Sequence, residues 1–176
     1  MADVHSTATR SYNMSRIKSK NTRPEMLVRK FLHAQGFRYR LHEKKLPGKP
    51  DLVLPKYKTV IFVHGCFWHG HTRCKYYVIP KTKTDWWLNK INGNIANDDK
   101  AVAALTAQGW KVIVVWECEL KPAVVENTLA ALVNNISCIL LLNHSFVVRT
   151  NKQLWASSLC HSLVPHTCVE LLLCYR

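Results

Sequence analysis

The sequence predicts an α/β domain with a metal-bound loop at one edge of its sheet, and three observations point there. Lys111-Val-Ile-Val-Val-Trp116 is apolar on both faces, the pattern of a strand central in a sheet. Val60-Ile-Phe-Val63 is a second buried strand, and it breaks at Gly65 into a loop crowded with His, Cys and aromatic residues. Segments of helical apolar period precede, separate and follow these two strands.

The chain of 176 residues is one domain in size, long enough for a sizeable core. Its 25 Lys and Arg against 11 Asp and Glu give a net charge of +14, whose self-repulsion is best explained by a polyanionic partner. Nucleic acid is the first candidate. An anionic membrane is second, but there is no long apolar span and no basic amphipathic anchor. Seven cysteines, an odd number, without a secretory leader in the polar stretch Met1 to Lys20, point to a reducing cytosol. There, clustered Cys and His mean metal more often than disulfide.

Residues 1–20 carry Arg10, Arg16, Lys18 and Lys20 and read as an arm or short helix that meets phosphates, or as a solvated tail. Thr22-Arg-Pro-Glu25 opens a helix in the capping-box pattern, Leu27, Val28, Phe31 and Leu32 give its apolar face, and Gly36 ends it. Phe37, Tyr39 and Leu41 alternate with Arg38, Arg40 and His42, a half-buried strand. Leu46 to Asp51 is a turn, Leu52-Val-Leu54 a short buried strand, and Thr59 to Val63 its hairpin neighbour. Thr84 caps a helix through Ile91, Asn92-Gly-Asn94 breaks it, and a second helix runs from Ile95 to Gln108, stopped by Gly109. Pro122 to Asn134 reads as a last amphipathic helix. Beyond Ser137 the chain becomes apolar, Cys-rich and poorly patterned, so residues 21–136 form the predicted domain and residues 137–176 an atypical tail. Cys160, His166, Cys168 and Cys174 in that tail make a weak second Cys/His set.

Cys66, His71 and Cys74 have zinc-ligand spacing, and Cys118, just after the Lys111–Trp116 strand, is the candidate fourth ligand. Soft thiolates with an imidazole favour zinc over magnesium. His69 competes with His71 for the same ion. Between the ligands, Phe67 and Trp68 either cover the metal as a small core or, with Trp86 or Trp87, wedge between base pairs.

Phosphodiester hydrolysis requires an acidic group for a hard divalent ion and a base or acid beside it. Asp51 stands at a turn-to-strand junction, where an ordinary turn aspartate would also stand. His64 and His69 are candidate general base and acid. Asp98 can orient an imidazole, with Asp99 an equal competitor, and Glu25 is already explained as a capping glutamate.

At Gly48-Lys-Pro-Asp51, Val63-His-Gly-Cys-Phe-Trp-His69 and Val115-Trp-Glu-Cys118 the chain resembles the very-short-patch repair (Vsr) endonucleases. Met1-Ala-Asp-Val-His5, Arg10-Ser11, Asn13-Met14 and Gly109-Trp110 fit as well, and the likeness covers about residues 1–136. The resemblance implies a restriction-endonuclease-like α/β fold with a central mixed sheet flanked by helices and a structural zinc site. It implies a magnesium-dependent nick 5′ of the thymine in a T:G mismatch within CT(A/T)GG, where 5-methylcytosine has deaminated. Carried over by position, Asp51 and the Val63 carbonyl ligate magnesium, and Glu25 supports through water. His69, held by Asp98, activates water, and His64 assists at the phosphate. Phe67, Trp68 and Trp87 (or Trp86) intercalate, while the N-terminal arm, with Arg16, Lys18 and Lys20 on the backbone, clamps the duplex.

The resemblance also implies mismatch-repair proteins and a repair DNA polymerase as partners, and a bacterial cytoplasmic, nucleoid-associated place of action. A nick needs one active site, so a monomer suffices. The relatives have one residue fewer between the positions matching His71 and Cys74, and Phe62 and His64 stand where the wider nuclease superfamily has an acid and a lysine. Two other readings remain: a zinc-containing DNA-binding module without cleavage, and a related nuclease with a different target.

Overall fold

In the computed structural model, β3 (Thr59–His64) lies between β2 (Leu52–Leu54) and β4 (Lys111–Trp116) in a four-stranded sheet of order β1-β2-β3-β4, with β1 at Arg40–Leu41. The structure describes residues 6–18 and 20–147, side chains at residues 7, 10 and 138–147 excepted. The sheet is mixed. β1 with β2 and β2 with β3 are antiparallel, and β3 pairs β4 in parallel from Thr59↔Lys111 to His64↔Trp116. Helices α1 (Thr7–Ser15), α2 (Arg23–Ala34), α3 (Thr84–Ala107) and α4 (Val125–Val147), with 3₁₀ turns at Pro55–Tyr57 and Glu117–Leu120, complete the described elements.

Alternation along the strands sends side chains to two apolar clusters. Leu52, Leu54, Ile61 and Val115 pack with Val28 and Leu32 of α2 and Leu129, Leu132 and Ile136 of α4. Val53, Val60 and Phe62 pack with Leu105 of α3 and with Trp110, Val112 and Val114. Each fully buried side chain of this size contributes roughly 1.5–3 kcal/mol. His64 follows Val60 and Phe62 in alternation, so it faces the α3 side at the end where β3 stops. The sheet is thereby a device for holding the ends of β3 and β4 side by side.

Several expectations are corrected. β4 is at the edge of the described sheet, not its centre, and β3 takes the central place. Apolar residues on both faces of β4 report helices above and below it, which says nothing about a strand on its outer side. Only Arg40 and Leu41 of the Phe37–His42 stretch are strand, although Phe37 is buried. The helix after the metal loop does not break: α3 runs from Thr84 to Ala107 through Gly93. A methyl at Gly93 would meet nothing, so this glycine costs only its flexibility, about 1 kcal/mol, which a long packed helix absorbs. Lys83, not Thr84, is the cap of α3; the Thr84 hydroxyl donates back to Pro80 O and Lys81 O, each at 3.1 Å. α4 begins at Val125 and continues past Asn134 and Ser137 to Val147.

Thr22 does cap α2, its hydroxyl accepting from the Glu25 N–H at 3.4 Å. Packing divides the chain after Leu141, and the site below lies wholly in the first unit. The tail set Cys160, His166, Cys168 and Cys174 is outside the described residues. No described helix is long and apolar enough to cross a membrane.

Candidate active site

The loop over residues 65–83 leaves β3 and turns back across α3. The Asn94 amide donates to Trp68 O at 2.9 Å, and Gly70, at φ +62°, lets the loop press on the helix. A Cβ there would lie 2.5 Å from Ile95 Cδ1, which only glycine avoids. This docking brings His69 to α3, where its Nδ1 lies 2.6 Å from Asp98 Oδ2. Asp99 is exposed and has no such role. His64 stacks on His69 with ring centroids 3.8 Å apart and planes 8° apart. His69 is therefore committed to Asp98 and is not the alternative ligand for the cysteine cluster.

Burial of His64, and next the neighbouring His69, push its pKa down to about 4, against the opposing pull of Asp98. His64 is a neutral imidazole across the physiological range. Because folding lowers this pKa below the ordinary 6.5, the unfolded chain takes the proton first. This contribution to stability is full above about pH 6.5 and is lost as pH falls through that value towards about 4. His64→Gln is accordingly expected to flatten the pH dependence of the melting temperature in that window. An unchanged slope would refute the assignment.

Opposite the imidazoles stand the carboxylates. Asp51 Oδ2 accepts the Val63 N–H at 2.8 Å, which fixes the carboxylate against β3. Burial raises the Asp51 pKa; the Val63 hydrogen bond opposes this, Glu25 adds to it, and His42 and His69 lower it. Glu25 is 2% exposed. Its carboxylate does not close a capping box but faces Arg29 Nη1 at 3.3 Å and His42 Nε2 at 3.2 Å. His42 Nδ1 lies 3.8 Å from Asp51 Oδ1, and Glu25, His42 and Asp51 can together hold a cation. His42 is the site residue that strand alternation hid, by making it one more polar face position. The signal was the hairpin register: Arg40↔Val53 and Leu41↔Leu52 continue to place His42 opposite Asp51, and its N–H donates to Asp51 O at 3.2 Å.

Asp51, His64, His69 and Asp98 line one cleft of 640 Å³, with Lys18 and Lys49 contributing positive charge to its wall. Val63 and Glu117 also line it. Arg16 is instead folded on Tyr12, its guanidinium 5.1 Å from the ring centroid, and Lys20 is exposed.

On the far side of the loop, Cys66, His71, Cys74 and Cys118 bring one ligand atom each to within 4.8 Å of one another, an arrangement that can hold a metal ion. Cys118 Sγ lies 3.4 Å from His71 Nδ1, and the His71 ring stacks on Trp116 at 4.1 Å. Burial pushes the Cys66 thiol up to about 12 and raises Cys118, whereas the Tyr76 N–H helps lower Cys74. The buried Cys66 thiol becomes thiolate only when a cation offsets its burial. Between His71 and Cys74 the chain makes a left-handed turn at Arg73, φ 59°.

Phe67, Trp68 and Trp87 form a mutual cluster with centroid separations of 5.2, 5.3 and 6.0 Å, all half-buried, beside the cleft. Trp86 packs edge-on against Trp87 and is 56% exposed.

Residues 2–75 match the family model described as DNA mismatch endonuclease Vsr. The type II nicking enzyme V.NmeAIP of Neisseria meningitidis is 58% identical over 121 residues, 69% of this chain and 86% of that protein. The type II nicking enzyme V.XorIIP of Xanthomonas oryzae is 53% identical over 120 residues, 68% of this chain and 88% of that one. The DNA mismatch endonuclease Vsr of Escherichia coli is 45% identical over 121 residues, 69% of this chain and 77% of the relative.

Proposed function

The chain belongs to the Vsr DNA mismatch endonuclease family, and from that premise we propose that it nicks one strand of duplex DNA 5′ of the thymine in a T:G mismatch, within CT(A/T)GG-type sites. That it is a Vsr-like nicking endonuclease acting on DNA follows from the family. The mismatch, the sequence context and the residue roles belong to the proposal. One observation carries it: an imidazole–carboxylate pair at 2.6 Å, His69–Asp98, shares a cleft with the strand-end carboxylate of Asp51.

His69 that donates Nδ1–H to Asp98 keeps Nε2 as an acceptor, the form needed to take a proton from attacking water. Asp98 holds that tautomer and stabilises the imidazolium formed. His64, kept neutral by burial, assists at the phosphate by hydrogen bonding without adding charge. Asp51, the Val63 carbonyl and, through water, Glu25 are the hard oxygen donors that suit Mg²⁺, and burial first, then the neighbouring Glu25, raise the Asp51 pKa. When bound, Mg²⁺ supplies charge stabilisation at the phosphoryl oxygens.

The cysteine–imidazole set suits Zn²⁺ as a closed, structural ion. Phe67, Trp68 and Trp87 are the wedge, and α1 with Arg16, Lys18 and Lys20 is the clamp of residues 1–20. Residues 21–136 are taken as a restriction-endonuclease-like nuclease domain and 137–176 as an appended tail. The same reading places the enzyme as a cytoplasmic monomer acting at the nucleoid, alongside mismatch-repair proteins and a repair DNA polymerase.

The test is gel-resolved nicking of a CT(A/T)GG duplex carrying T:G, beside its matched T:A twin, in Mg²⁺ and in EDTA, with Asp51→Ala in parallel. The expected product is a nick 5′ of the mismatched thymine, absent in EDTA and in the variant. Equal cutting of matched DNA would refute the mismatch assignment, and binding without any cut would refute the reaction.

A further inference from the structure

His42 is in none of the motifs that mark the family, yet it stands between the two carboxylates of the site. Its two ring nitrogens face different partners, Nε2 towards Glu25 Oε1 at 3.2 Å and Nδ1 towards Asp51 Oδ1 at 3.8 Å. Neither contact is satisfied. The Nδ1 distance is beyond a hydrogen bond, and Nε2 is shielded from solvent and forms none. A buried ring nitrogen 3.2 Å from a carboxylate yet without a hydrogen bond calls for an explanation.

The backbone adds a second observation. His42 has φ 46°, a left-handed conformation that costs a residue with a Cβ roughly 1–2 kcal/mol. Its N–H is nevertheless tied to Asp51 O at 3.2 Å, so the strained backbone and the hairpin register together direct the ring at Asp51. Asp51 divides its oxygens to match: Oδ2 takes the Val63 N–H, and Oδ1 is the oxygen facing His42.

We propose that His42 is a third side-chain ligand beside Asp51 and Glu25, completing a one-imidazole, two-carboxylate site that takes a borderline divalent ion such as Mn²⁺ more tightly than Mg²⁺. The inference rests on Asp51 being the metal carboxylate of the endonuclease. The chemistry follows from the donor set: carboxylates suit Mg²⁺ and Mn²⁺ alike, whereas an imidazole nitrogen favours the softer ion over Mg²⁺. Ligand atoms of all three residues lie within 4.8 Å of one another, so no large rearrangement is needed to converge on one ion.

The experiment is a titration of the full-length, zinc-loaded protein with Mn²⁺ alone, followed by electron paramagnetic resonance, with pulsed measurement of nitrogen coupling to the bound ion. Wild type is expected to bind one Mn²⁺ with a nitrogen signal and to release it to Mg²⁺ only at large excess. His42→Gln is expected to lose the nitrogen signal and bind Mn²⁺ about tenfold more weakly, with Mg²⁺ affinity changed less than about twofold. Melting temperature and zinc content report whether the variant is folded. If it is not, His42→Asn is measured in its place, and the wild-type nitrogen signal is independent of either variant.

Wild-type Mn²⁺ without nitrogen coupling, or a signal and affinity unchanged in folded His42→Gln, would overturn the proposal. Mg²⁺-supported nicking is scored separately. A nick without nitrogen coupling rejects the His42 ligand alone, whereas nitrogen-coupled Mn²⁺ without any nick rejects the endonuclease reading and keeps the site.

Discussion

His69→Ala is expected to slow single-turnover nicking by on the order of 10³-fold, about 4 kcal/mol of barrier, with duplex affinity nearly unchanged. The size follows from the role. General base catalysis by a positioned imidazole is worth about 10²–10⁴-fold, and the 2.6 Å contact with Asp98 sets the tautomer on which it depends. Asp98→Asn keeps the shape but removes the charge, and its amide can donate to Nδ1, which turns the ring to the wrong tautomer. Its loss should approach that of His69→Ala. The double variant should be scarcely slower than either single one, because groups acting as a unit do not add. Additive losses, or an unaffected chemical step with weakened binding, would remove the pair from the reaction and make it part of the DNA contact surface.

Cys66→Ser is expected to release the metal of the Cys/His cluster and to lower the melting temperature by roughly 5–16 °C. Structural zinc in small peptides contributes about 10–16 kcal/mol of apparent binding, so losing even a quarter of it is roughly 2.5–4 kcal/mol. At this chain length each kcal/mol shifts the midpoint by about 2–4 °C. Cys66 is the ligand to choose because it is 1% exposed and its thiol is held furthest from ionisation. The loop over residues 65–83 contains no helix or strand of its own and carries both His69 and the Phe67–Trp68 pair. Releasing it should therefore abolish nicking along with metal binding. Metal analysis and a thermal melt of the purified variant decide the matter. A variant without the ion that melts within about 1–2 °C of wild type would show that the cluster does not staple the loop.

The loop also shows where sequence and tertiary structure part company. The spacing of Cys66, His71 and Cys74, with Cys118 after a strand, was enough to name one cluster, because strand ends and short loops limit where those side chains can go. The residues of the candidate cleft were nameable as chemistry but not as pairs. Asp98 and Asp99 are indistinguishable by composition. Only the docking of the loop on α3, through Gly70 and Asn94, selects Asp98. Glu25 was accounted for as a helix cap by its local spacing, and the long-range contact with His42 gave it another partner.

By itself, the sequence determined strands β2, β3 and β4, the capped helix after Thr22, the β2–β3 hairpin and the three cysteines of the Cys/His cluster, since each rests on side-chain period or on ligand spacing within a short stretch. Tertiary structure alone decided that β4 lies at the edge of the described sheet, that α3 is unbroken across Gly93, that His69 belongs to Asp98 and that His42 faces Asp51 and Glu25. Those outcomes depend on which surfaces meet across many residues. A helix packed along its length absorbs a local propensity penalty, and a hairpin register carries a remote imidazole to a carboxylate, neither of which is written in any one window of the chain.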